Sequence, residues 1–135
     1  MTEKEFRVPG IDQVLSEAMG IPGVLGAGLI DWTSGLSLGT AGRAPGNDHD
    51  AAAADTAEVV QAVQRSATFD SGADGARPGL EDLILTAAGG YHLIRFVHTA
   101  FDSQTYLYLY LDRERANLAV ARRRLHDLAA GLVPG

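Results

Sequence analysis

Cysteine is absent from all 135 residues, which excludes disulfides, thiolate metal sites and a cysteine nucleophile, and leaves nothing that points to an oxidising compartment. Lysine is nearly absent as well, Lys4 being the sole instance. Long apolar runs are missing: no stretch approaches the roughly 18 residues a bilayer crossing needs. The start Met1, Thr2, Glu3, Lys4, Glu5 has no basic segment leading into an apolar one, so the chain reads as cytoplasmic, without membrane insertion. A net charge of −6 argues against nucleic acid, whose phosphates call for clustered basic charge. The length suits one domain, 1–135, large enough to bury a real core and too short for two.

The charge is uneven. Residues 1–111 carry six basic and fourteen acidic groups, and residues 112–127 carry five basic and three acidic. The C-terminal stretch is therefore the only basic one. Arg122, Arg123 and Arg124 form either a contact for an acidic partner or lipid, or simply the solvated face of a helix built on Leu and Ala.

The most informative segment is Ile21 to Gly42, IPGVLGAGLIDWTSGLSLGTAG. Val24, Leu25, Ala27, Leu29 and Ile30 leave no water-facing side, so this strand needs cover above and below. Asp31, Trp32, Thr33, Ser34 and Gly35 are turn chemistry, and the strand resumes at Leu36. Before the hairpin, Val8, Ile11, Val14, Leu15 and Ala18 recur at helical spacing until Gly20 and Pro22, which predicts a short helix over 10–19. After it, Asn47, Asp48 or Asp50 can cap a helix that starts near Ala51 and runs to about Phe69.

On that second helix Ala52, Thr56, Val59, Val60, Val63 and Ala67 lie within about a quarter turn of each other, a stripe suited to packing on a sheet. Beside it Ala53, Ala57, Gln61, Gln64 and Thr68 form a small, uncharged face. Such a face admits a close neighbouring helix, or it reflects nothing more than alanine's helix propensity. Residues 71–79, SGADGARPG, read as an irregular connection. Three strands follow, Asp82 to Thr86, Tyr91 to Val97 and Thr105 to Leu111, with a turn at AlaPheAspSer between the last two. In the last, Tyr106, Tyr108 and Tyr110 alternate with Leu107, Leu109 and Leu111, so both faces are bulky and covered. Leu118, Ala121, Leu125, Leu128 and Leu132 then mark a final helix, ended by GlyLeuValProGly.

The order helix, two strands, helix, three strands, helix, with strands covered on both sides, implies three layers: the second helix on one face and the terminal helices on the other. Leu83, Ile84 and Leu85 carry no Lys or Pro that would blunt a free edge, so at the margin of the sheet they invite pairing with a second copy.

No set of residues converges on catalysis. Asp48, His49 and Asp50 are consecutive loop residues that seldom point at one ion, and no second cluster has ligand spacing. His92 and His98 lack a Ser or acid placed to activate or orient them; a satisfied sheet histidine is the plainer reading. Gly26, Ala27 and Gly28 sit inside a strand with no helix opening after them, and neither nucleotide-loop pattern is present; such glycines admit the close approach of a packing helix. Trp32 is either a local lid on the sheet or a contact residue. No catalytic residue, metal site or cofactor is predicted.

The hairpin with Ile21, Gly23, Val24, Gly26 and Ala27 leading to Asp31, Ser34 and Gly35, together with EDLILTAAGGYHLIRF, resembles the roadblock family, named for dynein light chains and abundant in bacteria. The resemblance spans nearly the whole chain and implies a profilin-like α+β fold: a five-stranded antiparallel sheet in the spatial order two, one, five, four, three. It implies a homodimer through the second helix and third strand, here Ala53, Ala57, Gln61, Gln64, Leu83, Ile84 and Leu85. It further implies a non-enzymatic regulator of a Ras-like small GTPase of the gliding-motility type. TyrHis at 91–92 and TrpThr at 32–33 fit the versions found in bacterial operons with a GTPase and a sensor kinase, and no GTPase-contacting residue is assigned. Two rival classes stand beside this: a small-ligand sensor, which needs a cavity between the Tyr106, Tyr108, Tyr110 face and a helix, and a metal-dependent enzyme using His49.

Overall fold

The computed structural model describes residues 10–69, 80–97 and 104–132. The expected connection at 71–79, the turn at 100–103, Val8, His98 and the tail beyond Leu132 lie outside them.

Helix α1 spans Ile11–Ala18. Strands β1 (Val24–Asp31) and β2 (Leu36–Gly42) form the expected hairpin. The Asp31 carboxylate accepts from Thr33 N at 2.8 Å, Thr33 Oγ1 at 2.6 Å and Ser34 N at 3.3 Å. Gly35 closes the turn at φ 77°, in the left-handed region that glycine occupies without strain. Those bonds, the Thr33 hydroxyl foremost, hold the Asp31 carboxyl below its ordinary range.

Helix α2 spans His49–Gln64, and Asp48 caps it by accepting from Ala51 N at 3.0 Å. Strands β3 (Asp82–Ala87), β4 (Gly90–Val97) and β5 (Thr105–Leu111) follow, then α3 over Leu118–Gly131, capped by Asn117. All pairings are antiparallel in the order β2-β1-β5-β4-β3, as the family resemblance implied. β2 and β3 are the two edges.

The central strands are double-clad. Ala27, Leu29, Leu93, Leu107, Leu109 and Leu111 pack with Val14, Leu15, Ala18, Ala121 and Leu125 of the terminal helices. On the other face Ile30, Ile94, Phe96, Tyr106 and Tyr108 pack with Ala53 and Val60 of α2. This is the period-two division expected for β5, with leucines to one layer and tyrosines to the other.

Three expectations are corrected. First, α2 stops at Gln64 rather than near Phe69. Arg65 N donates to Gln61 O and Ser66 N to Val63 O, both at 3.1 Å, a tightened last turn. Beyond it Ala67, Thr68 and Phe69 are exposed and bury nothing that would extend the helix. Second, the inward stripe of α2 is rotated by about one residue. Ala53, Ala57 and Val60 are the buried positions, while Val59 is exposed. The small side chains let α2 lie directly on β1 and β2, so close that a Cβ at Gly35 would stand 3.9 Å from Ala57 Cβ. Third, Gly26 does not make room for a helix. A Cβ there would collide with the Arg43 carbonyl oxygen, because the chain leaving β2 folds back and Arg43 N donates to Leu25 O at 2.8 Å.

Candidate interaction site

β3 is the open margin of the sheet. Its Ile84 and Leu85 are each 39% exposed, Leu83 is half-buried, and Thr86 and Ala87 are exposed. The register Leu83↔Ile94, Ile84↔Leu93 and Leu85↔His92 places Leu83 and Leu85 on the face shared with α2, and Asp82, Ile84 and Thr86 on the face shared with α3. Neither covering helix reaches fully over this edge: α2 rests on β1 and β2, and α3 on β4 and β5.

On the α3 side an open groove of about 550 Å³ is lined by Glu81, Asp82, Ile84, Arg95, Leu118, Ala119, Arg122, Arg123 and His126. Asp82 is its hub. Arg122 donates to it through Nε at 2.6 Å and through Nη2 at 3.4 Å, and Arg95 Nη1 stands 3.9 Å away. The hydrogen bond and charge of Asp82 raise the Arg122 pKa further above its ordinary value. Arg122, Arg123 and Arg124 are all exposed, as the solvated-face reading has it, and Arg122 in addition ties α3 to the start of the edge strand. Forty residues separate the partners, so no local spacing could have disclosed the link. At the other end of β3, Arg113 Nη1 donates to Ala87 O at 3.1 Å and lies over the Tyr91 ring, 5.5 Å from its centroid.

On the α2 side a cleft of about 450 Å³ is lined by Pro45, Gly46, Asp48, Ala51, Ala52, Asp55, Thr56, His92 and Tyr108. His92 Nδ1 and Tyr108 Oη share a hydrogen bond of 2.7 Å, and the imidazole stacks against Tyr108 and Tyr110 with centroids 5.9 and 5.5 Å apart. His92 is thus the satisfied sheet histidine the sequence suggested. Burial lowers its pKa and raises that of Tyr108, in both cases by disfavouring the charged form. Tyr106 bonds Thr56 Oγ1 at 2.5 Å and is pushed up to about 12, again by burial.

The His92 shift has a measurable consequence. Below its ordinary pKa of 6.5 the unfolded chain takes up a proton that the folded chain resists, so stability falls as the pH falls through that range and is fully present above it. We expect wild type to lose more thermal stability than His92→Gln between about pH 7 and pH 5. Parallel losses in the two proteins would refute the assignment.

The predicted dimer-interface residues separate into two groups. Ala53 and Ala57 are buried against the chain's own sheet, Gln61 Nε2 donates to Trp32 O at 2.7 Å, and Gln64 is half-buried. Ala53 and Ala57 therefore pack inward within the chain, while Gln61 and Gln64 keep part of their surface exposed. Ile84 and Leu85 remain available, and the outward flank of α2 presents Asp55, Glu58, Val59 and Ala62. Trp32 is half-buried against the α2-side core, which agrees with the lid reading. His49 Nε2 is engaged with Gly42 O at 2.9 Å and Asp48 with the helix cap. Among the described residues no three His, Cys, Asp or Glu side chains are grouped to hold a metal ion, and no helix is long and apolar enough to cross a membrane.

No family model and no curated protein matches the sequence. Solved structures do. The chain is similar to a Roadblock/LC7 domain from Streptomyces avermitilis at TM-score 0.70 and 18% identity, over 90% of this chain and 93% of that one. It is similar to Myxococcus xanthus MglB at TM-score 0.67 and 19% identity, over 100% and 97% of the two chains. It is also similar to the gliding protein MglB of Thermus thermophilus at TM-score 0.67 and 20% identity, over 90% and 87%. With the strand order, the layers and this end-to-end likeness together, the protein has the roadblock fold.

Proposed function

We propose that this protein is a single-domain, non-enzymatic, homodimeric adaptor of the roadblock family. In this reading it binds a Ras-like small GTPase in a nucleotide-dependent way and tunes its cycle within a bacterial cytoplasmic signalling system, one that also includes a sensor kinase. The observation that carries the reading is the likeness to MglB over the full length of both chains. Fold alone does not fix function, and two further features support this choice. Asp48, Thr56, His92 and Tyr108 of the cleft are committed to structural bonds. The apolar edge residues Ile84 and Leu85, by contrast, are left to act as surface. The adaptor needs no cofactor.

The test is direct binding. A Ras-like small GTPase, loaded with GDP or with a non-hydrolysable GTP analogue, is titrated against it by calorimetry. We expect binding to one nucleotide state at least about tenfold tighter than to the other, a difference of about 1.4 kcal/mol. No binding in either state would overturn the adaptor reading.

One observation favours a second reading. The cleft between α2 and the Tyr108 face has the size of a small-molecule site and lies where a ligand sensor would need its cavity. A thermal-shift screen decides this: a stabilising metabolite whose effect is lost in Thr56→Leu would support the sensor, and a flat screen would remove it.

A further inference from the structure

We propose that two arginines from the segment after β5 latch the edge strand β3 to the sheet, Arg122 at the Asp82 end and Arg113 at the Ala87 end. The Asp82 latch releases as ionic strength rises, so that β3 opens from that end while the core stays closed. The inference needs neither a GTPase nor a second copy.

β3 has little else to hold it. It pairs with β4 alone, none of its residues is buried, and α3 rests on β4 and β5 instead. By contrast β4 buries Leu93, Ile94, Phe96 and Val97. A strand with few buried apolar contacts opens locally, well short of global unfolding.

The two latches grip opposite ends. Residues 82 and 87 stand about 17 Å apart on an extended strand. At the first, Arg122 Nε and Nη2 donate to the two Asp82 carboxylate oxygens at 2.6 and 3.4 Å, a forked pairing that fixes direction as well as distance. Arg95 Nη1 lies 3.9 Å from the same carboxylate. At the second, Arg113 Nη1 donates to the Ala87 carbonyl at 3.1 Å and lies over the Tyr91 ring of β4.

The ends differ in chemistry. The Asp82 latch is an ion pair whose arginine side chain is 54% exposed and borders the open groove, so mobile ions reach it. Their screening length shrinks from about 10 Å in 0.1 M salt to about 3 Å in 1 M. The Ala87 latch joins a cation to a neutral carbonyl and a ring face, which salt weakens less. Salt therefore frees the strand from the Asp82 end first.

Amide hydrogen exchange followed by NMR reads this directly. Phe96 N donates to Glu81 O, and Asp82 stands opposite Arg95, so the alternation of an antiparallel ladder turns the amides of Leu83, Leu85 and Ala87 toward β4. Raising NaCl from about 0.1 M to about 1 M should speed wild-type exchange about twofold to fivefold at Leu83 and less than about 1.5-fold at Ala87. Arg122→Gln should speed Leu83 exchange about threefold to tenfold at the lower salt and lose most of the salt response. Asp82→Asn should do the same, and the double variant should add nothing further. Arg113→Gln should speed Ala87 and keep the salt response at Leu83.

Equal salt responses at Leu83 and Ala87 in the wild type would overturn the proposal with no variant needed, so a substitution that prevents folding leaves it testable. Unchanged Leu83 exchange in Arg122→Gln would overturn it as well. Acceleration of the β5 amides in step with Leu83 would mean that the edge opens only with the whole domain, which also overturns it. Samples about tenfold apart in protein concentration should give the same ratio of variant to wild type. A ratio that disappears on dilution would place the effect in self-association and overturn the latch.

Discussion

Replacing Ala57 by arginine is expected to unfold the protein, at a cost of about 5 kcal/mol against a total stability for a domain of this size of about 5 to 15 kcal/mol. Ala57 is 2% exposed and sits where α2 meets the sheet and the hairpin turn. A larger side chain there must push the helix off β1 and β2, worth about 1 to 3 kcal/mol by overpacking. The guanidinium would also be buried against the sheet, which costs several kcal/mol more. A thermal melt followed by circular dichroism should show a fall of about 15 °C or more, or no cooperative transition at all. Val59→Arg, on the exposed flank of the same helix, should change stability by less than about 0.5 kcal/mol. A folded, stable Ala57→Arg would mean that α2 is rotated from the orientation described.

That contrast shows where the sequence is legible and where it is not. Strands β1 and β5 could be read almost to the residue, because a strand covered on both faces has nearly continuous apolar character and sharp turn chemistry at its ends. α1 and α3 were equally plain, since their apolar residues recur at three- and four-residue spacing. α2 misled because its apolar residues are of two sizes. Valines define the more hydrophobic stripe, yet alanines define the stripe that can approach a sheet most closely, and proximity decided the packing. A valine stripe drawn on a helical wheel points to Val59; the structure buries Ala53, Ala57 and Val60 instead.

Gly26 misled in a related way. A glycine in a strand signals that some backbone comes near, but not which one, and the neighbour proved to be Arg43 rather than a helix. The charged groups around β3 were the least legible. Asp82 with Arg122, and Ala87 with Arg113, join positions 40 and 26 residues apart, and nothing in the local pattern of either partner encodes the meeting.

Leu85→Arg should give the opposite result to Ala57→Arg: a protein that folds normally and fails to associate. Leu85 lies on an edge strand at 39% exposure, so an arginine there keeps its charged head in water and its stem along the sheet. The expected change in monomer stability is below about 1 kcal/mol. At a two-fold interface one substitution enters twice. In the proposed homodimer each arginine would replace an apolar edge residue and add a like charge from each copy, so attraction is lost and repulsion is added together. We expect the dimer dissociation constant to rise about a hundredfold or more, a change of about 2.7 kcal/mol. Light scattering at tens of micromolar should then report the monomer mass beside a melting curve close to that of wild type. GTPase binding measured on the same sample separates two roles for the edge. If binding falls with the dimer, the GTPase reads a surface that only two copies complete. If binding persists, one copy is sufficient and dimerisation serves to double the sites. An unchanged mass would place the association somewhere other than β3, and the exposed leucines of the opposite edge strand, Leu36 and Leu38, would then be the next positions to charge.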